Sequence, residues 1–223
     1  MQARRRFALL TIAAAPAGVL GQTSIDPSHK FCWQENGGWV NWYDAEGGAS
    51  GVRDAQTHLT GYLWCENNGW VCVGPPTGPA NGIYYANVDS SDYGVNVAID
   101  GTLTGFAWAE NAGWVNFGGG ALASPPQPAL YDSKAGRFRG WVWWENMGWM
   151  NLDDATSYVA EACYANCDQS TTPPILNTGD FTCFLQKYVA GDPYANCDRS
   201  SRSPAINTFD FTCFLRMYAN GCH

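Results

Sequence analysis

Hydrophobic and polar residues alternate around a motif, W-x-E-N-x-G-W, that occurs four times in the first two thirds of the chain. The four copies are Trp33–Trp39, Trp64–Trp70, Trp108–Trp114 and Trp143–Trp149. Around the second copy, alternation predicts strands with two distinct faces. One face carries Tyr62, Trp64, Glu66, Trp70 and Cys72, and the other carries Leu63, Cys65, Val71 and Val73. Neither face is polar throughout, so both should be at least half covered, as in a propeller, a sandwich or a barrel.

The centre of the motif predicts a turn between two strands. Asn-x-Gly favours a type I turn followed by a glycine with positive φ, which makes a hairpin with a one-residue bulge. The glycines concerned are Gly38, Gly69, Gly113 and Gly148. In this register Glu66 lies opposite Trp70, and Trp64 lies opposite Cys72. With further upstream strands such as Tyr93–Ile99, the repeat unit is predicted to be an antiparallel β-meander of about three short strands.

A different repeat, with a period of 30 residues, starts at Tyr164 and again at Tyr194. In each copy a loop precedes apolar residues spaced i, i+3, i+4 and i+7, which predicts an amphipathic helix. These residues are Phe181, Phe184, Leu185 and Tyr188, then Phe211, Phe214, Leu215 and Tyr218. Gly191 and Gly221 follow as helix stops. The sequence therefore predicts a mainly β chain that ends in a small α-helical domain, whose two helices bury aromatic faces against each other.

The second repeat also carries a family resemblance. Its duplicated N-C-D-x-S…N-x-x-D-F-x-C-F-L and its final Gly-Cys resemble a dockerin module of the cysteine-bearing type, a C-terminal anchor of secreted bacterial proteins. The resemblance covers a little over a quarter of the chain, from Cys163 to His223. It implies two calcium loops, each followed by a helix, in a paired EF-hand-like arrangement. The implied Ca²⁺ ligands are Asn166, Asp168, Ser170, Asn177 and Asp180, and in the second loop Asn196, Asp198, Ser200, Asn207 and Asp210.

The resemblance implies a partner as well. Dockerins dock onto cohesin-like proteins or otherwise hold their cargo at the cell surface, and the two residues after the loop Asn often contact the partner. In this chain those positions are Thr178, Gly179, Thr208 and Phe209.

The loops depart from the EF-hand pattern in length and in charge. The first loop has 15 residues from Asn166 to Asp180, and Pro173-Pro174 stands where the sharp-turn glycine would be. Only two carboxylates serve each site, so two weak calcium sites are predicted. The alternative is a pair of helices held together by disulfides without a metal.

Six of the nine cysteines lie in this C-terminal domain. Among the many connectivities that six cysteines allow, the repeat symmetry favours one. The favoured pairs are Cys167–Cys183, Cys197–Cys213 and Cys163–Cys222. Three cysteines remain outside this domain, Cys32, Cys65 and Cys72. Because their number is odd, one of them can be free, bonded to another molecule or paired with the C-terminal domain.

Composition and charge narrow the class of protein. With 46% hydrophobic and 14% charged residues, the chain is typical neither of disordered proteins nor of coiled coils. Residues 1–21 are predicted to be a signal peptide, because Arg4–Arg6 precede an apolar run from Phe7 to Leu20. Removing those three arginines changes the formal charge from −8 to −11, which disfavours nucleic-acid binding and attracts cations. We therefore expect a secreted protein, extracellular or at the cell surface, with disulfides and no transmembrane segment.

Candidate catalytic groups are few. One Glu occupies the same position in every motif copy, whereas an active site is assembled once, so a turn role is favoured over the paired carboxylates of a glycoside hydrolase. These residues are Glu35, Glu66, Glu110 and Glu145. The motif Trp pairs are interpreted as cross-strand packing rather than sugar platforms. The surplus aromatics that are candidates for the surface are Trp42, Trp141 and Trp144. No metal spacing joins His29, His58 and His223.

Taken together, these patterns predict an exported, non-catalytic protein in four segments. They are a signal peptide (1–21), a Trp-rich all-β repeat domain (22–155), a linker (156–161) and a dockerin-like domain (162–223). The β domain would serve as a binding module, with polysaccharide as one possible ligand, or as a structural module. The alternative is a secreted carbohydrate-active enzyme that carries a dockerin.

Overall fold

The computed structural model describes residues 23–44, 50–168, 170, 172–197 and 204–222, and the predicted signal peptide lies outside these ranges. The strands are β1 (Ile25–Gln34), β2 (Gly38–Asn41), β3 (Arg53–Asp54), β4 (Leu59–Cys65), β5 (Gly69–Gly74), β6 (Val95–Val97), β7 (Leu103–Ala109), β8 (Gly113–Asn116), β9 (Leu130–Asp132), β10 (Arg137–Arg139), β11 (Trp141–Trp144), β12 (Gly148–Asn151) and β13 (Val159–Glu161). The helices are α1 (Thr178–Ala190) and α2 (Thr208–Asn220).

Eight strands in the described part of the chain close into an antiparallel barrel. Around the ring their order is β1, β2, β4, β5, β7, β8, β11 and β12, and β12 pairs with β1 to complete it. Each copy of the W-x-E-N-x-G-W motif forms one hairpin of this barrel. Of the three architectures that the sequence pattern allows, the barrel is therefore the one that forms.

The interior of the barrel is filled by the face that alternation assigns as apolar. The fully buried residues of the second hairpin are Leu63, Cys65, Val71 and Val73. An eight-stranded barrel has an interior just wide enough to be filled by such side chains. Trp42 and Trp144 are also fully buried, so the expectation that they lie at the surface is wrong. Trp144 alternates with the exposed Trp143 along β11 and therefore points inward.

The hairpin register differs from the prediction by two residues. Trp64 lies opposite Trp70 and Tyr62 opposite Cys72, rather than Glu66 opposite Trp70. The turn begins one residue earlier than predicted, because Asn68 donates its backbone N–H to the carbonyl of Cys65 at 3.1 Å. This register places two large aromatic side chains directly across from each other, which favours it over the alternative. The predicted positive φ is confirmed at Gly38, Gly69, Gly113 and Gly148.

Short strands outside the ring extend two of the hairpins into the predicted meander. Strand β3 pairs with β4, and β6 pairs with β7. On the other side, β9, β10 and β13 continue the sheet from β1. Strand β13 lies inside the segment 156–161, which the sequence predicts to be a linker, and it pairs with β1 through Ile25 and Glu161. The barrel therefore extends to residue 161, directly before the C-terminal domain.

The two helices of the C-terminal domain form as the repeat predicts. Gly191 ends α1 with a positive φ of 69°, and Gly221 follows α2 with a φ of 83°. Between the helices, the rings of Phe184 and Phe214 stack with centroids 4.0 Å apart. Leu185 and Leu215 are 36% and 41% exposed, so the predicted apolar face is narrower than four residues per helix. Cys183 and Cys213 occupy the adjoining part of the core instead.

All nine cysteines lie within the described ranges, and the three predicted disulfides are confirmed. Their Cα–Cα distances are 5.2 Å for Cys163–Cys222 and 5.8 Å for both Cys167–Cys183 and Cys197–Cys213. The two internal bridges join a loop to the helix that follows it. The third joins the two ends of the domain, which suits a core too small to be very stable alone.

Candidate functional sites

At one end of the barrel, the four motif turns bond to one another in a ring. The backbone N–H of each motif Glu donates to the carbonyl of the second motif Trp in the neighbouring hairpin, at 2.9–3.0 Å. The pairs are Glu66–Trp39, Glu110–Trp70, Glu145–Trp114 and Glu35–Trp149. The motif Asn side chain adds a bond from Nδ2 to a turn carbonyl of the same neighbour, at 2.7–3.2 Å. These pairs are Asn67–Gly37, Asn111–Asn68, Asn146–Ala112 and Asn36–Met147. The repeated motif is thus the device that closes the barrel.

The four glutamate carboxylates extend from this ring of turns. Their residues, all exposed, are Glu35, Glu66, Glu110 and Glu145. One of the carboxylates has a structural bond: Glu35 Oε2 accepts a hydrogen bond from the backbone N–H of Trp149 at 3.3 Å. Because the glutamates occupy equivalent turns, their environments are similar, whereas acid–base catalysis requires two carboxyls in different environments. The arrangement supports the interpretation of the repeated Glu as a turn residue.

The outer wall of the barrel carries the paired tryptophans of the motif. In each hairpin the two indoles meet edge to face, with ring centroids 4.8–5.1 Å apart, as cross-strand aromatic pairs prefer. The pairs are Trp33–Trp39, Trp64–Trp70, Trp108–Trp114 and Trp143–Trp149. The first Trp of each pair is about 40% exposed. Cross-strand packing is therefore confirmed, but it lies on the surface rather than in the core.

Next to these pairs, aromatic residues alternate with smaller ones around the wall. Phe106 on β7 pairs with Asn116 on β8, which pairs with Trp143 on β11. The three equivalent rows are Phe31–Asn41–Trp64, Tyr62–Cys72–Trp108 and Trp141–Asn151–Trp33. In each row a short side chain lies between two large ones, so the wall is grooved. Trp141, the remaining surplus tryptophan, is half-buried in such a row.

The groove of the Phe106–Asn116–Trp143 row opens into a cleft of about 440 Å³, called here the aromatic cleft. Its aromatic residues are Tyr93, Phe106, Trp114 and Trp143, and the other lining residues are Asn87, Val88, Asp89, Ser90, Asn116 and Glu145. Two of these carry carboxylates, and no Lys, Arg or His is among the described residues that line the cleft. Sequence reasoning did not identify this cleft, because the loop that supplies residues 87–90 has no periodic pattern to place it against the barrel.

The odd cysteines of the barrel form no disulfide. Cys32 and Cys65 are buried in the interior, and Cys72 is half-buried on the outer wall. Burial raises the pKa of the Cys32 thiol to about 12, although a hydrogen bond from Trp42 partly opposes this. Burial also raises the pKa of the Cys65 and Cys72 thiols. All three thiols are therefore protonated at neutral pH and poor nucleophiles.

The first loop of the C-terminal domain brings its five predicted ligand residues together. Asp168 Oδ1 accepts the backbone N–H of Ser170 at 2.9 Å, and Asn166 Nδ2 donates to the Ser170 carbonyl at 3.0 Å. The Asp168 backbone N–H in turn donates to Asp180 Oδ1 at 3.2 Å. A Cβ added at Gly179 would lie 2.8 Å from both Asp168 Oδ2 and Asn177 Oδ1. The loop therefore gathers side-chain amide and carboxylate oxygens, together with the Ser170 backbone, next to the start of α1.

Two of these residues have a second task in the fold, as the capping box of α1. Asn177 Oδ1 accepts the backbone N–H of Gly179, and the fully buried Asp180 accepts the backbone N–H of Asn177 at 2.9 Å. Asn166 Oδ1, in contrast, is buried and has no hydrogen-bond partner among the described groups. A buried oxygen without a donor is an acceptor that a cation can satisfy. The residues of the first loop therefore fit Ca²⁺.

The second loop repeats the part of this arrangement that the structure describes. Asn207 and the fully buried Asp210 form the same capping box at the start of α2. Asn196 is among the described residues of the second loop. The predicted ligands Asp198 and Ser200 lie in 198–203, outside the described residues. Across the described ranges, no group of three or more His, Cys, Asp or Glu side chains stands in metal-binding geometry. Each predicted ligand set has only two carboxylates, and its other members are Asn and Ser residues.

The predicted partner-contact residues lie in the first turns of the two helices. Thr178 and Thr208 are exposed, and Gly179 is partly exposed. Phe209 is 73% exposed and is not part of the core of the helical domain.

Comparison with known proteins found no match: no family model, curated protein or solved structure is significantly similar to this chain. Among the described residues, no helix is long and apolar enough to span a membrane.

Proposed function

We propose that this is a secreted, non-catalytic protein in which a dockerin-like, Ca²⁺-binding helical domain anchors a tryptophan-ridged β-barrel at the cell surface or in an extracellular complex. The observation that carries the proposal is the first loop of the helical domain. It gathers five oxygen-bearing residues, and Asn166 Oδ1 is buried with no hydrogen-bond partner among the residues that the structure describes. In this account the barrel is the cargo, and it acts as a binding or structural module.

The residues that would hold Ca²⁺ in the first loop are Asn166, Asp168 and Ser170, with Asn177 and Asp180 at the start of α1. A bound Ca²⁺ would join these oxygens and offset the repulsion between the two carboxylates. Asp180 already accepts two backbone N–H groups, and a carboxylate has further lone pairs for a cation. Few charges per site correspond to weak binding, with a Kd of roughly 10⁻⁴–10⁻³ M, as in extracellular modules.

The first turns of α1 and α2 would form the docking surface. Phe209 is its proposed anchor, because a solvent-exposed aromatic side chain gains most when a partner covers it. The equivalent position in α1 is Gly179, so the two halves of the surface are chemically different. A partner would therefore bind in one preferred orientation.

Binding of the full chain to a panel of purified cohesin modules tests this proposal. We expect binding in millimolar calcium, loss of binding in EDTA, and at least about tenfold weaker binding for Phe209→Ser. Val189→Ser is the matched control, because Val189 is 85% exposed on α1 and lies outside the docking surface. Binding that is unchanged by EDTA, or that Val189→Ser weakens as much as Phe209→Ser, would contradict the proposal.

A further inference from the structure

The shape of the aromatic cleft follows from the register of three strands. Phe106 and Trp143 lie on either side of Asn116, one strand apart from it in each direction. Two strand spacings separate the aromatic positions by about 10 Å, with the shorter Asn side chain between them. Trp114 packs against Phe106 and Tyr93, with ring centroids 6.0 and 5.3 Å apart. The aromatic side chains therefore surround a recess instead of forming a flat patch.

The side-chain amide oxygens of the cleft are committed to the protein. Asn87 Oδ1 accepts the backbone N–H groups of Gly94 and Phe106, and its Nδ2 donates to the Tyr85 carbonyl. Asn116 Oδ1 accepts the N–H of Gly118 at 2.9 Å. The amide acceptors that the hydroxyl groups of a sugar could use are therefore already occupied. A ligand in the cleft would therefore mainly contact aromatic rings and the negative charges of the two carboxylates.

The charge of the cleft is negative. Glu145 lies two residues after Trp143 and is exposed at the same edge of the cleft, while Asp89 lies on the loop that faces it. Hydrogen bonds from Ser91 lower the pKa of the Asp89 carboxyl and keep it ionised. The lining contains no basic residue to neutralise these charges, and the whole chain carries a net charge of −8. Anionic ligands are therefore disfavoured and cations are attracted.

A cation with apolar substituents matches this combination. Aromatic faces attract a cation that lies within about 6 Å of the ring centroid. Phe106 and Trp143 line the cleft on either side of Asn116, so a group bound above Asn116 would have both rings as neighbours. A quaternary ammonium has no N–H to hydrogen-bond, so it loses little hydration and contacts the rings through its methyl groups. A small metal ion, by contrast, would remain hydrated and gain little from the rings.

We propose that the aromatic cleft binds a quaternary ammonium group, held between Phe106 and Trp143 and paired with the carboxylates of Glu145 and Asp89. This proposal refines the role of the barrel as a binding module within the proposed function. It does not depend on calcium binding by the helical domain.

Calorimetric titration of the full chain with choline tests the proposal, with the uncharged isostere 3,3-dimethylbutan-1-ol as the matched ligand. We expect choline to bind at least about tenfold more tightly than the isostere. We also expect Trp143→Leu and Glu145→Gln to weaken choline binding at least about tenfold. The control variants are Trp33→Leu and Glu66→Gln, which change the equivalent motif residues of other hairpins and should leave the affinity unchanged.

Equal affinity for choline and its isostere, or no choline binding at tens of millimolar, would overturn the proposal. Tight binding of a neutral oligosaccharide that Glu145→Gln does not affect would also overturn it and would assign the cleft to sugars. Each titration is run in calcium and in EDTA, and with Asp168→Ala. If the unaltered chain binds choline but no calcium, the result counts against the calcium role of the helical domain alone. If it binds calcium but no choline, the result counts against the cleft alone.

Discussion

At the scale of single residues, each fixed position of the repeated motif has a separate physical task. The Glu backbone and the Asn side chain bond to the neighbouring hairpin, and the Trp pair covers the outer wall. The final glycine adopts a positive φ that other residues adopt only at a cost. Sequence reasoning identified the turn and its glycine, since both are local. It could not identify the inter-hairpin bonds, because they depend on the barrel closing.

Substituting two glycines of the second hairpin distinguishes the cost of backbone strain from the cost of a steric clash. Both have positive φ, 94° for Gly61 and 85° for Gly69. A Cβ at Gly61 would lie 2.3 Å from the carbonyl oxygen of Gly51, whereas at Gly69 the nearest atom is Asn111 Nδ2 at 3.3 Å. We expect Gly69→Ala to cost about 1 kcal/mol of unfolding free energy and Gly61→Ala about 1–3 kcal/mol more. Urea denaturation measures both, and equal losses would contradict the packing described for Gly61.

The buried Cys32 thiol should make the barrel less stable as the pH rises into the alkaline range. Burial raises its pKa from 9.0 to about 12 in the folded state, so the folded protein favours the protonated thiol. The resulting contribution to stability is complete below about pH 9 and is lost as the pH rises towards 12. We expect Cys32→Ala to flatten the decline of unfolding free energy between pH 9 and 11. If the unfolding free energy of Cys32→Ala declines with pH as steeply as that of the unaltered chain, the pKa of Cys32 does not differ between the folded and unfolded states as described.

At the scale of elements, alternation predicted which side chains face inward but not the exact pairing of strands. The two faces of the second hairpin are assigned correctly because a strand has a period of two residues. The predicted register was wrong by two residues, because the Trp64–Trp70 contact moves the turn. Leu185 was placed on the buried helix face although it is exposed, since a disulfide cysteine takes the adjoining core position. Helical periodicity alone does not show which apolar residue a small core excludes.

The capping box of α1 allows its structural task to be separated from calcium binding. Asp180 accepts two backbone N–H groups and is fully buried, whereas Asp168 is exposed. In EDTA we expect Asp180→Ala to lower the local stability of α1 by about 1–3 kcal/mol, because both donors lose their acceptor. Asp168→Ala should have little effect in EDTA but should remove the response to calcium. Amide hydrogen exchange in α1 measures both, and equal protection in the two variants would contradict this division.

At the scale of the whole molecule, the barrel and the helical domain meet without a long connector. Strand β13 ends at Glu161, two residues before the first disulfide cysteine, Cys163. Gln56 of the barrel also donates a hydrogen bond to the Cys197 carbonyl at 2.9 Å. The 30-residue repeat favoured the disulfide framework, because it places one loop cysteine and one helix cysteine at equivalent positions in each copy. The closed barrel and its aromatic cleft could not be predicted in this way. Barrel closure and the placement of a non-periodic loop produce no local pattern in the sequence.

Calcium binding by the full chain is the most direct test of the central claim that the C-terminal domain is a dockerin-like anchor. Calorimetry and native mass spectrometry in buffers of increasing calcium should detect two ions per chain, with a Kd of roughly 10⁻⁴–10⁻³ M. Asp168→Ala should remove one of them, while Asp154→Ala, which changes a partly exposed loop carboxylate of the barrel, should remove neither. No bound ion at millimolar calcium would contradict the account and leave a helical pair that is held together by its disulfides alone.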